Sequence, residues 1–114
     1  MKFNKLIPEL SVSDFEKSLH FYTKILGFSI EYTREERKFA FLSFHGNQIM
    51  IEDAKSANKQ FMTGELEHLF GRGINIHNWY RKDKVLLGNK EFLVKDPDGY
   101  VLRIFEIIGS KPLK

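Results

Sequence analysis

The chain has 114 residues, a formal net charge of +3, eleven Phe, four Tyr, one Trp and no Cys. This length suits one core, and so many rings argue against disorder and for a core or pocket lined by aromatics. The absence of cysteine excludes disulfides, thiol nucleophiles and thiolate metal sites, and Lys and Arg interleave with Glu and Asp instead of clustering as a nucleic-acid surface would require.

No signal-peptide run and no stretch of eighteen apolar residues occur, so a cytoplasmic protein with no membrane and no nucleic-acid partner is expected. Residues 5–12 alternate Leu6, Pro8, Leu10 and Val12 against Ile7, Glu9 and Ser11, the period of a half-buried strand with its proline near the start. "SVSDFEKSLHFYTKILGF" then predicts a helix. Ser13 and Glu16 have capping-box spacing, Asp14 is a rival N-cap, and Gly27 closes the last turn. Phe15, Leu19, Tyr22 and Leu26 form its buried stripe, and His20 and Tyr22 are assigned surface and core roles.

"FSIEYTREERKFAFLSF" and "GNQIMIED" predict three consecutive strands, broken at 34–38 and at His45-Gly46-Asn47, with Gly46-Asn47 as the hairpin turn. Phe39, Phe41, Ser43 and His45 share one face and Ala40, Leu42 and Phe44 the other; in the next strand Gln48, Met50 and Glu52 oppose Ile49 and Ile51. Both faces are partly apolar, so the face away from the helix must be covered too, by a ligand, a partner chain or a second sheet. Residues 54–60 read as linker and "FMTGELEHLFGRG" as a short helix or turn. Gly71-Arg72-Gly73 lacks the strand and helix that frame a phosphate loop. From Gly73 the chain reads strand ("GINIH"), an aromatic and basic stretch ("NWYRKDKVLLGN"), strand ("KEFLVKD"), turn ("DPDG") and strand ("YVLRIFEII"), without a second helix.

The segment Val12 to Phe28 and the segment Phe92 to Phe105, with "DPDGY" opening the last strand, together resemble the glyoxalase/bleomycin-resistance/dioxygenase family, the vicinal oxygen chelate superfamily. "TGELEHLFGRGIN" and "GYVLRIFE" look most like its bleomycin-resistance branch. The resemblance implies an α+β fold of paired strand-helix-three-strand modules forming a cupped mixed sheet. Module one would span about 5–53, a linker 54–72 and module two 73–108, in a single domain over 1–114.

Enzymes of the superfamily hold a divalent metal in that cup. Carried onto this chain, two of its usual histidines fall on Ile7 and Asn75, its final glutamate on Arg103, and the fourth ligand on either Met50 or Glu52. A guanidinium adds repulsion where a metal needs a lone pair. The reading is therefore a metal-free binding protein with no cofactor and no catalytic residue, sequestering a planar or amphipathic small molecule. Its ligand-binding residues would be Glu9, Phe41, Met50, Asn75, Trp79, Arg103 and Phe105. Arg103 has a second reading, an edge residue paired with Glu9, Glu91 or Glu106, and Trp79 suits either a groove rim or an interface. His45, His68 and His77 read as surface residues.

The implied partner besides the ligand is a second copy in a homodimer. Bleomycin is cationic and this chain is net basic, which favours another flat or anionic molecule. Rival readings are a metal-dependent lyase, dioxygenase or thiol transferase of the superfamily, and an interaction protein using the cup as a dimer interface. Module two is short by roughly two dozen residues, since a crossover helix needs at least about a dozen. Either the natural chain is shortened there or a stretch is skipped; the second is favoured, because losing the helix would leave a sheet face uncovered, and it predicts a backbone break near His77 and Asn78.

Overall fold

In the computed structural model residues 2–56 and 63–109 are described, the side chains at 79–92 and 105–109 excepted. The chain divides into two compact units, Met1–Phe70 and Gly71–Lys114.

The first unit runs β1 (Glu9–Val12), α1 (Phe15–His20) continued by a wider π turn (Phe21–Ile25), β2 (Ser29–Arg34), a 3-10 turn (Glu35–Arg37), β3 (Phe39–Phe44) and β4 (Asn47–Asp53). Its sheet has the order β1-β4-β3-β2. β1 and β4 are parallel and the other pairs antiparallel, so the crossover between the parallel pair carries the helix. β1 is shorter than the strand expected over 5–12. Pro8 offers its carbonyl to the Met50 N–H at 2.9 Å but has no N–H of its own, and regular pairing starts after it.

Of the two candidate caps it is Asp14 that acts, its Oδ1 accepting the Lys17 N–H at 3.1 Å. Asp14→Ala should cost about 1 kcal/mol in urea denaturation, the usual worth of an N-cap, whereas Ser13→Ala should cost little. The β3–β4 hairpin turns one residue earlier than expected. His45 (φ 47°) and Gly46 (φ 85°) are both left-handed, as a two-residue type I′ turn demands, and β4 restarts at Asn47.

The face toward the helix is the core: Leu10, Val12, Ala40, Leu42, Ile49 and Ile51 are buried with Phe15, Tyr22 and Phe28. Leu19 and Leu26 are half-buried. Tyr22 meets Phe28 edge-on at 5.5 Å, and Phe28 stacks on Phe44 at 4.9 Å. Among the described residues, 63–74 is turn and bend with no helix, and no helix is long and apolar enough to cross a membrane.

The second unit is a mixed arrangement of β5 (Asn75–Lys95) and β6 (Val101–Gly109). Residues 75–81 of β5 run parallel to 101–107, and residues 87–95 return antiparallel from Gly109 to Val101. Ile104 pairs with both Asn78 and Phe92, so β5 supplies a row on each edge of β6. The expected break near His77 and Asn78 is therefore wrong: β5 passes through both residues unbroken. The physical reason is that the chain reverses direction between residues 81 and 86 and only has to round the end of β6. Two strand spacings are roughly 10 Å, within reach of a few extended residues, and no crossover helix is required. The second module accordingly lacks a helix.

The turn before β6 is closed by Asp96, whose Oδ1 accepts the N–H groups of Asp98 and Tyr100 at 2.8 and 2.9 Å. The N–H of Gly71 donates to the Asp98 carbonyl at 2.9 Å, fastening the start of this unit to its turn.

Candidate functional site

The face of the first sheet turned away from the helix carries the candidate site. Across the strands, Glu9, Met50, Phe41 and Tyr32 form one row, and Ser11, Glu52, Phe39 and Arg34 the next. A register shift between Ile30 and Tyr32 brings Tyr32 opposite Phe41, and the two rings stack at 5.3 Å and 17°. Tyr32 also lies 5.9 Å from Phe39. The Arg34 guanidinium carbon sits over both Tyr32 and Phe39, at 5.7 and 5.9 Å, and that of Arg37 over Phe39 at 5.5 Å.

Beside the rings lies a carboxyl pair. Glu52 is 6% exposed, is hydrogen-bonded to Glu9, and has its Oε2 3.6 Å from the Arg37 Nε. Burial pushes the Glu52 carboxyl above its ordinary range, the Glu9 hydrogen bond and charge push the same way, and Arg37 pulls back without reversing the direction. A group easier to protonate when folded favours the native state below its ordinary value of 4.5 and loses that contribution as pH rises through the raised value. Glu52→Gln should thus resist urea better than the unsubstituted chain at neutral pH, the gap closing toward pH 4. A variant less stable at pH 7 would contradict this assignment.

The sequence-predicted residues divide between the two units. Glu9, exposed, and Met50, half-buried, adjoin Phe41 on the face just described, while Phe41 is only 1% exposed. In the second unit Asn75 opens β5 opposite Val101, and the half-buried Arg103 lies between His77 and the 67% exposed Leu93. Trp79 and Phe105 are register partners whose side chains lie outside the described residues. Sequence reasoning missed Tyr32, whose place depends on the bulge, and Phe3, which meets Phe41 edge-on at 5.3 Å.

A divalent ion does not fit the donors on this face. Glu52 is engaged by Glu9 and by the Arg37 guanidinium, and among the described residues no three His, Cys, Asp or Glu side chains gather to hold a metal. An open cleft of about 340 Å³ at the start of α1 is lined by Asp14, Glu16, Lys38 and Asp53 among others. Its charges are already used: Asp14 caps the helix, Glu16 meets Lys38 at 3.6 Å, and Asp53 accepts the Lys55 N–H at 2.8 Å.

The strand-helix-three-strand order of the first unit is that of one glyoxalase module, and the sequence agrees. A family model described as the Glyoxalase/Bleomycin resistance protein/Dioxygenase superfamily matches residues 5–82. The chain belongs to this superfamily. The match spans the first unit and the opening of β5, where the family's second helix would follow.

Solved structures agree on the fold. A protein of unknown function from Agrobacterium tumefaciens str. C58 is 20% identical with a TM-score of 0.66, and 95% of each chain is covered. A virulence protein from Salmonella typhimurium is 17% identical with a TM-score of 0.65, covering 95% of this chain and 100% of that one. A glyoxalase/bleomycin resistance protein/dioxygenase from Nocardioides is 14% identical with a TM-score of 0.64, covering 100% and 89%. Among curated proteins none matches.

Proposed function

We propose that this superfamily member binds and sequesters a small planar or amphipathic molecule on the aromatic face of its first sheet, as a bleomycin-resistance-type protein would, without turnover. The observation that carries the reading is the shelf of Tyr32, Phe39 and Phe41 with two guanidiniums laid over its rings. Phe39 and Phe41 are 4% and 1% exposed, so the half-buried Tyr32 ring is the part a ligand can reach, backed by the other two rings and flanked by the guanidiniums. Arg34 has no carboxylate within 4.0 Å among the described residues, whereas Arg37 is paired with Glu52 at 3.6 Å. These charges support a neutral or anionic planar ligand over cationic bleomycin itself.

Calorimetric titration with 2-naphthoate, 2-naphthylmethanol, 2-naphthylmethylammonium and bleomycin tests the reading. Saturable binding of the first two, weakened by Tyr32→Ala, is expected; no saturable binding by any of the four would overturn it. The reading extends to a cytoplasmic homodimer, because two-fold pairing is the commonest way to bury exposed apolar surface, and light scattering checks the dimer.

A further inference from the structure

Phe41 was expected to contact ligand, yet it is 1% exposed, and part of what covers it is the chain's own N-terminal segment. The Phe3 ring meets Phe41 edge-on, centroids 5.3 Å apart and planes at 86°, although Phe3 itself is 55% exposed. The segment is held by one side chain on the same sheet face. Gln48 Nε2 donates to the Lys2 carbonyl at 2.7 Å, and Gln48 Oε1 accepts the Asn4 N–H, also at 2.7 Å. A third bond runs from Asn4 Nδ2 to the Gly46 carbonyl at 2.8 Å.

The two groups read by Gln48 are the carbonyl before Phe3 and the N–H after it. A single primary amide thus recognises both flanks of one aromatic residue while Phe41 receives the ring. That combination defines a ligand chemically: an aryl group one carbon away from a centre bearing an acylamino carbonyl on one side and an amide N–H on the other.

We infer that Gln48 and Phe41 form a binding site for N-acylated aromatic amino-acid amides, and that Phe3 is its displaceable internal occupant. The inference rests on the reading that this sheet face is the binding surface, and adds a ligand class and a gate to it. A tethered occupant acts at an effective concentration on the order of mM, so an outside ligand of equal fit competes poorly until the tether is released. Phe3→Ala removes the ring, and Asn4→Pro removes the N–H that Gln48 accepts.

The probe is N-acetyl-L-phenylalaninamide, with N-acetyl-L-alaninamide as the ringless control, followed by NMR shifts of the Gln48 side-chain amide and the Phe41 ring in the full chain. The double variant F3A/N4P should bind the probe at least tenfold more tightly than the unsubstituted chain. Adding Gln48→Leu, or removing the ring from the probe, should reverse that gain. Equal affinity with and without the strap substitutions, or equal binding of the ringless control, overturns the inference. If the double variant does not fold, the unsubstituted chain still decides: a large excess of probe should drive the Phe3 and Asn4 resonances toward free-chain positions, and resonances that stay put overturn the inference. A chain that binds 2-naphthoate while Phe3 stays in place keeps the proposed function and loses this site; binding of neither the probe nor any of the four titrated compounds overturns both.

Discussion

Gly71→Ala should destabilise the protein by about 3 kcal/mol, at the upper end of what overpacking costs, because the added carbon has nowhere to go. A methyl group at Gly71 would stand 2.3 Å from the Tyr100 nitrogen, 2.5 Å from its Cα and 2.7 Å from the Gly99 carbonyl carbon. All three are backbone atoms of the turn that Asp96 locks, so no side chain can swing aside. Relief requires lifting residue 71 off the turn, which breaks the 2.9 Å bond from its N–H to the Asp98 carbonyl. Urea denaturation followed by circular dichroism measures the loss. Gly64→Ala is the control, since a carbon there meets nothing within 4 Å. Equal midpoints for the two variants would refute the packing argument.

Phe41→Ala should cost about 3–5 kcal/mol, the usual range for emptying a buried aromatic site. Phe41 is 1% exposed, stacks on Tyr32 at 5.3 Å and receives Phe3 edge-on at the same distance. Removing it takes the shared neighbour from both contacts. Phe41→Leu keeps most of the volume and should cost about 1 kcal/mol, so the pair separates filling from ring chemistry. In the leucine variant the shelf persists without its central ring. Binding of 2-naphthoate should then fall severalfold while the fold survives. Unchanged affinity would place the ligand elsewhere.

Much of the first unit was legible because its signals are local. Alternation set the two faces of β3 and β4 correctly: Phe39, Phe41 and Ser43 share a side with Glu52, Met50 and Gln48. The same alternation required a cover for that side, and Phe3 supplies part of one. Asp14 as a rival cap and Gly27 as the helix stop follow from backbone chemistry at single residues, Gly27 having a φ of 92°.

What escaped the sequence depends on pairs of distant residues. Gln48 looked like an ordinary polar strand residue, and nothing within the strand shows that it bridges Lys2 and Asn4, more than forty positions away. Tyr32 owes its position to a one-residue slip in β2 that alternation cannot foresee. Glu52 was weighed as a surviving metal ligand, but its acidity is set by burial and by Glu9, which come together only once β1 lies beside β4. The shortened second module was read correctly as lacking a helix and wrongly as broken, because sequence spacing does not say on which edges of β6 the two halves of β5 lie.

That straddling of β6 bears on how such a chain tolerates changes in length. Both margins of β6 are zipped to neighbours along 101–107, so its peptide groups are satisfied without any further strand. Material added or removed between residues 81 and 86 falls at a joint beyond the zipped region. The second unit can therefore lengthen or shorten at that joint by whole elements while the ladder around β6 keeps every rung.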